Sequence, residues 1–510
     1  MAQDLGFKLP PGLIAVVGFA VGLLATFMIG GLFGIPPSTL WPLLVILLLL
    51  WIFCLEHPKL YLGLVGVYYL TAANGNLFGK VHLPIPMASQ IDELVLAVPF
   101  AILTMKAIER RLPGRATIFP LVFVVLAALS FKVNGVPKTL AFKATLTHLK
   151  FFIYWYFARS IGPWNNRERR AWAYAVIAMA CLQFCMNLVW QRGPIPIHGD
   201  LGTGTLGGAH LVGYFSAFGL FFAAALFFFH EKPLKIRHVF LLILFVVIMI
   251  YNIIFLTDTK HMALFLPLAA LPFFLSPSVR LSARLALAAA GLLFAWLGYL
   301  YVREYEVRLS LQDLVFSYKY SGRAYLFNAV LHWMGREVPF PLLGAGPGNF
   351  CIWHAVFSFR PLAEKHVIPF VIDAIRSGGR VTEASVVGTP VTSLHTLLGE
   401  YGPISALFYY GFWFYGMRWL WKGHLAREQS GFARGAQLAV VASMLLTVLL
   451  SYLLEIFDLA IITMPIWTMA AVFWEPMPPA SAGKKDSAPP ASPPGLLPPA
   501  FPRPAWRGPP

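Results

Sequence analysis

Apolar segments long enough to cross a lipid bilayer recur along almost the whole chain, and they decide what it can fold into. Hydrophobic residues make up 58% of the 510 residues, whereas charged residues make up only 12%. Only α-helices and closed β-barrels satisfy every backbone hydrogen bond inside lipid, and these segments lack the two-residue alternation of barrel strands. We therefore predict an all-α polytopic membrane protein and exclude a soluble domain.

The hydropathy pattern predicts about 14 transmembrane helices in a single fold unit. A polar stretch over 303–393 separates helices within 1–302 from helices within 394–474, and it is predicted to form one large loop domain. Residues 475–510 are rich in proline, so we predict a disordered cytoplasmic tail. The predicted spans are 12–34, 39–55, 60–72, 91–105, 116–131, 146–158, 172–190, 210–229, 238–256, 262–276, 285–302, 394–416, 437–454 and 460–474.

The distribution of lysine and arginine predicts the orientation of the helices. Basic residues concentrate in the short loops of one side, which the positive-inside rule places in the cytoplasm with both termini. The loop 303–393, the segment 191–209 and the turn 257–261 then face outward, which in a Gram-negative bacterium is the periplasm. We attribute the net charge of +17 to topology and anionic lipid headgroups rather than to nucleic acid. The alternative explanation is that the positive charge also attracts a lipid-linked diphosphate.

Two features of the long loop are suited to binding an anion. Arg323, in Ser-Gly-Arg, has the geometry of a bidentate phosphate clamp, but a solvated or carboxylate-paired arginine gives the same sequence. Further along, Gly344, Gly346 and Gly348 predict a tight turn with exposed backbone N–H groups. Such a turn either holds an anion or a sugar, or is purely structural. Its context is not that of a nucleotide P-loop.

Other ionisable residues lie inside predicted spans or at their outward ends. His395 begins a span, where a histidine is either a general base, a donor to phosphate or a hydrogen-bonded structural group. Glu400 lies deeper in that span, so it is either functional or paired within the bundle. Lys260, near membrane depth, needs an anionic partner, either a substrate phosphate or Asp258. The outward segment before the eighth span adds the polar candidates Arg192, His198, Asp200 and His210.

The sequence predicts neither a catalytic metal nor a cofactor. Glu304 and Glu306 form an acidic pair similar to that of some metal-using membrane glycosyltransferases, but no Asp-x-Asp occurs in the chain. His332, His354 and His366 lack the spacing of metal ligands.

In their order along residues 190–415, these pieces resemble the O-antigen ligase and polymerase superfamily. The resemblance rests on Ser-Gly-Arg at Arg323 with the later Pro-Leu-Leu-Gly-Ala-Gly-Pro-Gly-Asn-Phe run, and on His395 before Leu-Leu-Gly-Glu-Tyr-Gly. It also rests on Leu-Thr-Asp-Thr-Lys-His-Met-Ala-Leu around Lys260, and the glycine-rich run up to His210 is similar to a further family stretch. Thr396 replaces a common asparagine, and Lys260 replaces a common arginine, so a bidentate phosphate contact is lost there.

The resemblance implies a metal-independent, inverting glycosyltransferase of GT-C-like fold that uses an undecaprenyl-diphosphate-linked glycan as donor. Arg323 and Lys260 would bind the diphosphate, with Arg192 and His210 as further candidates, and Arg323 would act with His395 at the reacting centre. His395 would serve as base for the acceptor hydroxyl or as donor to phosphate. The partners would be membrane lipids and lipid-linked glycans, with a chain-length regulator or other polysaccharide-assembly proteins as further candidates.

We expect a polysaccharide polymerase of the bacterial inner membrane that joins lipid-linked repeat units at the periplasmic face. The chain length and the number of predicted spans favour it slightly over an O-antigen ligase, which transfers the glycan to lipid A–core. A transporter of lipid-linked sugars or other solutes is the alternative from another class. A transporter should place charges near the bilayer midplane, whereas here the candidate charges gather at outward helix ends and in the long loop.

Overall fold

A computed structural model describes most of the predicted helical bundle. Apart from isolated residues, the predicted spans 12–34 and 285–302 lie outside the described residues, as do the tail 475–510 and much of the loop 303–393. Described are 37–71, 95–104, 115–190, 209–229, 235–257, 259–281, 334–350, 360–366, 392–426, 430–452 and 459–474, with isolated residues at 16, 20, 206, 284, 285, 288, 289, 291–293, 296, 330, 332 and 457.

Helices account for nearly all of this part of the chain, and no strand occurs in it. Every apolar segment predicted between residues 39 and 276 and between 394 and 474 lies on a helix. The helix that ends at Tyr251 continues as a π-helix over Asn252–Leu256, and 3₁₀ turns lie at Arg115–Thr117 and Pro341–Leu343. The helices are α1 Pro37–Glu56, α2 Pro58–Thr71, α3 Val95–Thr104, α4 Ile118–Asn134, α5 Lys138–Ser160, α6 Asn166–Trp190, α7 Ala209–Phe228, α8 Ile236–Tyr251, α9 Lys260–Ala269, α10 Leu271–Leu275, α11 Pro361–His366, α12 Ser393–Leu425, α13 Gly431–Leu450 and α14 Ala460–Val472.

Several of these helices have the length and composition of membrane spans. Within the described residues, four segments qualify by length and hydropathy: Asn166–Val189, His210–Phe228, Ile236–Leu256 and Gly431–Leu450. On α8 most of the apolar side chains are uncovered, with Phe240 65% exposed, which is typical of a helix that faces lipid. The chain is therefore an all-α membrane protein. The total of about 14 crossings and the GT-C-like arrangement stay predictions.

Several observed helices begin earlier than predicted, and the largest differences are in α5, in α13 and in α6, which begins at Asn166 instead of 172. Helix α5 begins at Lys138 instead of 146, directly after the turn at Gly135, whose left-handed backbone (φ 60°) ends α4. Helix α13 begins at Gly431 instead of 437, and the Ser430 side chain caps it by accepting the Ala433 N–H at 3.3 Å. Hydropathy alone left out these first turns because they are polar. In α5 the Leu140 and Ala141 N–H groups donate to the Pro137 carbonyl at 3.1 and 3.0 Å. In α13 the Ser430 cap favours the first turn.

Aromatic side chains from three helices fill the centre of the bundle. Phe151 of α5 stacks on Trp467 of α14 with ring centroids 5.4 Å apart, and Phe412 of α12 stacks on the same ring at 4.3 Å. Trp155 and Trp413 complete the cluster and are fully buried. Helix α12 also packs against α4 and α13, and α13 packs against α7, so α12 and α13 lie at the core of the described bundle.

Contacts between helix ends and turns mark two ends of the bundle. At one end, the Asn134 amide donates to the Gly344 carbonyl at 3.0 Å, and the Leu394 N–H donates to the Ser451 carbonyl at 3.0 Å. We call this the loop end. It is formed by residues 134–138, 256–257, 259–260, 344–350, 392–396, 451–452 and 457.

The opposite end carries many of the basic residues that predicted the orientation, and we call it the basic end. There Lys59 at the start of α2 forms an ion pair of 2.8 Å with Glu168 at the start of α6. Arg434 of α13 donates to the Ser278 hydroxyl after α10. The basic side chains at this end agree with the prediction that lysine and arginine concentrate on one side of the membrane.

A break in α12 shapes the loop end. Gly402 has φ 80°, in the left-handed region, and Pro403 follows it. An unbroken helix would pair the Gly399 carbonyl with the N–H of residue 403, which proline lacks. The Ala345 N–H from the long loop donates to that carbonyl at 2.8 Å, and the Gly346 N–H donates to the Glu400 carbonyl at 2.9 Å. The break is therefore repaired by another part of the chain.

Replacing Gly402 with alanine should destabilise the protein by about 3 kcal/mol, because a side chain is strained at this backbone conformation and its Cβ would approach the Gly344 nitrogen to 2.6 Å. Gly335→Ala is the control: it lies in a helix with open space around it and should change stability by about 1 kcal/mol or less. Thermal unfolding in one detergent compares the two variants. Equal transition temperatures would contradict the importance of the break.

Candidate functional site

The glycine-rich segment of the long loop, residues 344–350, packs into the break of α12, and we call it the glycine loop. Gly344, Gly346 and Gly348 have φ of 74°, 100° and 76°, a region that other residues rarely adopt. A Cβ at Gly346 would lie 2.5 Å from the Val136 side chain, and one at Gly348 would lie 2.8 Å from Leu140. The predicted tight turn is thus present, and it is seated on the turn between α4 and α5.

Glu400 occupies the backbone donors of the glycine loop. Its carboxylate is fully buried and accepts the Gly348 N–H at 2.6 Å and the Phe350 N–H at 3.1 Å. Converging N–H groups of this kind form an anion-binding concavity, and here the anion is a side chain of the protein. Of the two interpretations of Glu400, pairing within the bundle is the one its contacts match. The Gly348 and Phe350 N–H groups are engaged internally.

Asn349 ties the glycine loop to a cation that sequence reasoning missed. Its side-chain amide donates to the Ala345 carbonyl at 3.0 Å, and its backbone N–H donates to the Gly346 carbonyl at 3.1 Å. Its side-chain oxygen accepts a hydrogen bond of 3.0 Å from Nε of Arg360. Nothing in the spacing of the sequence relates residue 360 to residue 349, so only the fold reveals this pair.

His395 is fully buried in the first turn of α12. The Thr392 hydroxyl accepts the His395 backbone N–H at 3.3 Å as an N-cap and lies 2.6 Å from the ring Nδ1. If the hydroxyl donates to Nδ1, the neutral ring carries its proton on Nε2 and can donate to phosphate. If Nδ1 donates to the hydroxyl, Nε2 is basic. Both predicted roles of His395 therefore remain chemically open.

The segment around His395 is enclosed by the turn that follows α13. The Ser393 hydroxyl accepts the Phe457 N–H at 2.8 Å, and the His395 ring lies 6.2 Å from that of Tyr452. These contacts fix the start of α12 at the loop end, together with the glycine loop. Catalysis by a residue so enclosed requires that substrate reach it from this end.

The turn that contains Lys260 packs against the start of α7, the helix of His210. Thr259 contacts Gly213 so closely that no other residue fits at position 213 without a shift. Thr259 also donates from its hydroxyl to the Ile253 carbonyl at 3.0 Å, which fixes the turn before α9 begins at Lys260. The structure thus brings the Lys260 and His210 segments together at the loop end. Asp258 lies outside the described residues.

A buried polar network holds this region in place, and sequence reasoning did not identify it. The Asn187 amide of α6 donates to the Asn252 side-chain oxygen at 2.9 Å, and the Asn252 amide donates to the Ser216 hydroxyl of α7 at 2.8 Å. Asn252 begins the π-helix that leads to the Lys260 turn. Polar residues inside apolar spans were the available signal, because such groups need partners within the bundle.

The remaining predicted site residues lie outside the described part of the chain, so their roles stay predictions: Arg323, Arg192, His198, Asp200, Glu304, Glu306 and His354. Of the described histidines in the loop, His332 is exposed and His366 ends α11. Among the residues that the structure describes, no three His, Cys, Asp or Glu side chains gather in an arrangement that could hold a metal ion.

Comparison of the chain with protein-family models, with curated proteins and with solved structures finds no match. The resemblance to the O-antigen ligase and polymerase superfamily therefore stays a prediction from the sequence.

Replacing Glu400 with glutamine should lower stability by about 2–4 kcal/mol, because an amide cannot accept both backbone N–H groups at the strength of a carboxylate. Glu337→Gln is the matched control, since Glu337 forms a partly exposed ion pair of 2.7 Å with Lys365, worth about 0–1 kcal/mol. Thermal unfolding measures both variants. If both lose the same small amount, the Glu400 contacts do not anchor the glycine loop.

Proposed function

We propose that the chain is a membrane-embedded glycosyltransferase, a polysaccharide polymerase that joins lipid-diphosphate-linked glycan units at the loop end. The observation that supports it is the proximity of pieces that are far apart in sequence. The glycine loop is hydrogen-bonded to the helix of His395, and the Lys260 turn packs on the helix of His210 at the same end. These are the segments that resemble the superfamily.

The proposed reaction suits the chemistry of these residues. The acceptor hydroxyl attacks the anomeric carbon of the donor, the bond from that carbon to the diphosphate oxygen breaks, and the diphosphate leaves with the electron pair. Inversion follows from attack on the opposite face. His395 takes the hydroxyl proton as base, or donates to a phosphate oxygen. Lys260 and Arg323 stabilise the charge that develops on the diphosphate, at little cost in reorganisation.

The proposal places the reaction on the outer side of a bacterial inner membrane. The positive-inside rule assigns the basic end to the cytoplasm, so the loop end faces the periplasm. A lipid-linked donor lies with its diphosphate at the membrane surface. In this orientation the diphosphate would approach the outward ends of α7, α9 and α12.

Two alternatives differ in ways that can be tested. An O-antigen ligase would share this site and differ only in its acceptor, lipid A–core. A transporter gains support from one observation: Lys150 and His148 are buried in the middle of α5, where a charge is costly and often functional. A transporter would move its substrate without breaking the bond between glycan and diphosphate.

Purified protein supplied with a lipid-diphosphate glycan should release polyprenyl diphosphate, and His395→Ala should reduce the rate by about 10²- to 10⁴-fold through loss of proton transfer. Arg323→Ala should abolish turnover, because it removes a cation that stabilises the charge on the leaving diphosphate. His332→Ala is the control, because it removes an exposed histidine of the loop, and it should keep the native rate.

The acceptor separates the alternatives in the same assay. Growth of the glycan on a second lipid-linked unit indicates a polymerase, and transfer to lipid A–core indicates a ligase. Activity in EDTA is expected, since the proposed chemistry uses no metal. Full turnover by both His395→Ala and Arg323→Ala would refute the site, and movement of intact donor without release of diphosphate would favour the transporter.

The orientation can be tested by cysteine labelling in a variant whose native cysteines are replaced by alanine. Lys138→Cys, exposed at the loop end, should react with a membrane-impermeant maleimide added to intact cells. Arg167→Cys, exposed at the basic end, should react only after permeabilisation. The reverse pattern would place the loop end in the cytoplasm.

A further inference from the structure

Arg360 is held at the glycine loop in a fixed orientation. Its Nε donates to the Asn349 side-chain oxygen at 3.0 Å, and Asn349 is itself 7% exposed and bonded twice to the loop backbone. A guanidinium whose Nε is fixed by a buried amide loses most of its freedom before any ligand binds. Preorganisation of this kind lowers the entropic cost of binding.

The two Nη atoms of this guanidinium carry N–H groups that no described residue accepts. Within the described part of the chain, Arg360 makes this one hydrogen bond, so the four N–H groups on its two Nη atoms are not used by it. The side chain is only partly exposed, and a partly buried cation is favourable when an anion satisfies such donors. Of the carboxylates whose contacts the structure describes in this part of the chain, Glu400 is engaged by the glycine loop and Glu337 by Lys365 at 2.7 Å.

Further positive charge surrounds the same loop. Val136 and Leu140, which contact the glycine loop, belong to the turn between α4 and α5 and the start of α5. That hairpin carries Lys132 and Lys138, both exposed. The loop end is otherwise the side with fewer basic residues, so these lysines run against the charge bias that orients the bundle. Their hairpin packs on the loop that holds Arg360 through Asn349, so both lysines raise the positive potential at this loop.

We propose that Arg360, positioned by Asn349, binds a phosphate group at the glycine loop. A phosphate has several acceptor oxygens and takes two parallel hydrogen bonds from one guanidinium, which suits the two Nη atoms. Identification of the ligand as the diphosphate of the lipid-linked donor rests on the proposed function. The phosphate of an anionic lipid headgroup has the same chemistry, and the experiment separates the two sources.

The test measures binding of farnesyl diphosphate to the full chain in nanodiscs of phosphatidylcholine. Arg360→Ala should weaken binding about 10- to 100-fold, since it removes charge-assisted hydrogen bonds. Arg360→Lys should recover part of the affinity, because it restores the charge without the fork. Asn349→Ala should weaken binding less than Arg360→Ala. Arg336→Ala removes an exposed charge from the same region and should bind like the native protein.

A second arm omits the diphosphate and measures enrichment of phosphatidylglycerol around the protein in mixed nanodiscs. Loss of diphosphate binding with unchanged enrichment assigns the site to the donor, and the reverse assigns it to a lipid headgroup. Thermal unfolding of Arg360→Lys separates a local effect from misfolding. Native behaviour of Arg360→Ala in both arms would overturn the proposal.

Turnover distinguishes this inference from the proposed function. If Arg360 governs diphosphate binding but no glycan is transferred to any acceptor, the phosphate site stands and the glycosyltransferase proposal falls. If glycan is transferred and Arg360→Ala leaves the KM for the donor unchanged, the glycosyltransferase proposal stands and the assignment of the phosphate site to the donor falls.

Discussion

The amide hydrogen that Pro403 lacks is the constraint on which the candidate site depends. A free carbonyl inside a membrane bundle costs several kcal/mol, because no water is available to satisfy it. The chain meets that cost with the Ala345 and Gly346 N–H groups of a distant loop. Once the loop lies in the break, its glycines must adopt left-handed backbone, and the Gly348 and Phe350 N–H groups converge on Glu400. The missing donor thus fixes where the glycine loop sits.

Hydropathy predicted the helices well because exposure to lipid demands apolar residues over their whole length. The tight turn was also predictable, since Gly344, Gly346 and Gly348 have few other uses at such spacing. The partners of Glu400 were not predictable, because they lie about fifty residues earlier in the chain and are backbone atoms with no sequence signature. For the same reason Arg360 was missed: its role comes from contact with Asn349 and not from a motif.

The internal carboxylate changes what the glycine loop can contribute to binding. Two of its N–H groups serve Glu400, so they cannot also bind a phosphate. In the proposed function, the charge that holds the diphosphate comes from side chains around the loop, that is, from arginine and lysine and not from backbone donors. The loop acts as the rigid support for these side chains. This explains how it can match a binding motif by sequence and still make structural contacts with its backbone.

Helix α13 connects the two halves of the candidate site. On one side, the Tyr214 hydroxyl of α7 lies 2.7 Å from that of Thr447, which links α13 to the helix of His210. On the other side, the Tyr410 hydroxyl of α12 lies 2.8 Å from that of Ser451, which links it to the helix of His395. Because these bonds are buried or partly buried, water competes with them little and they resist rearrangement. The spacing between the Lys260 turn and His395 is therefore set by α13, and in the proposed function this spacing would fix the separation of the donor phosphate from the acceptor hydroxyl.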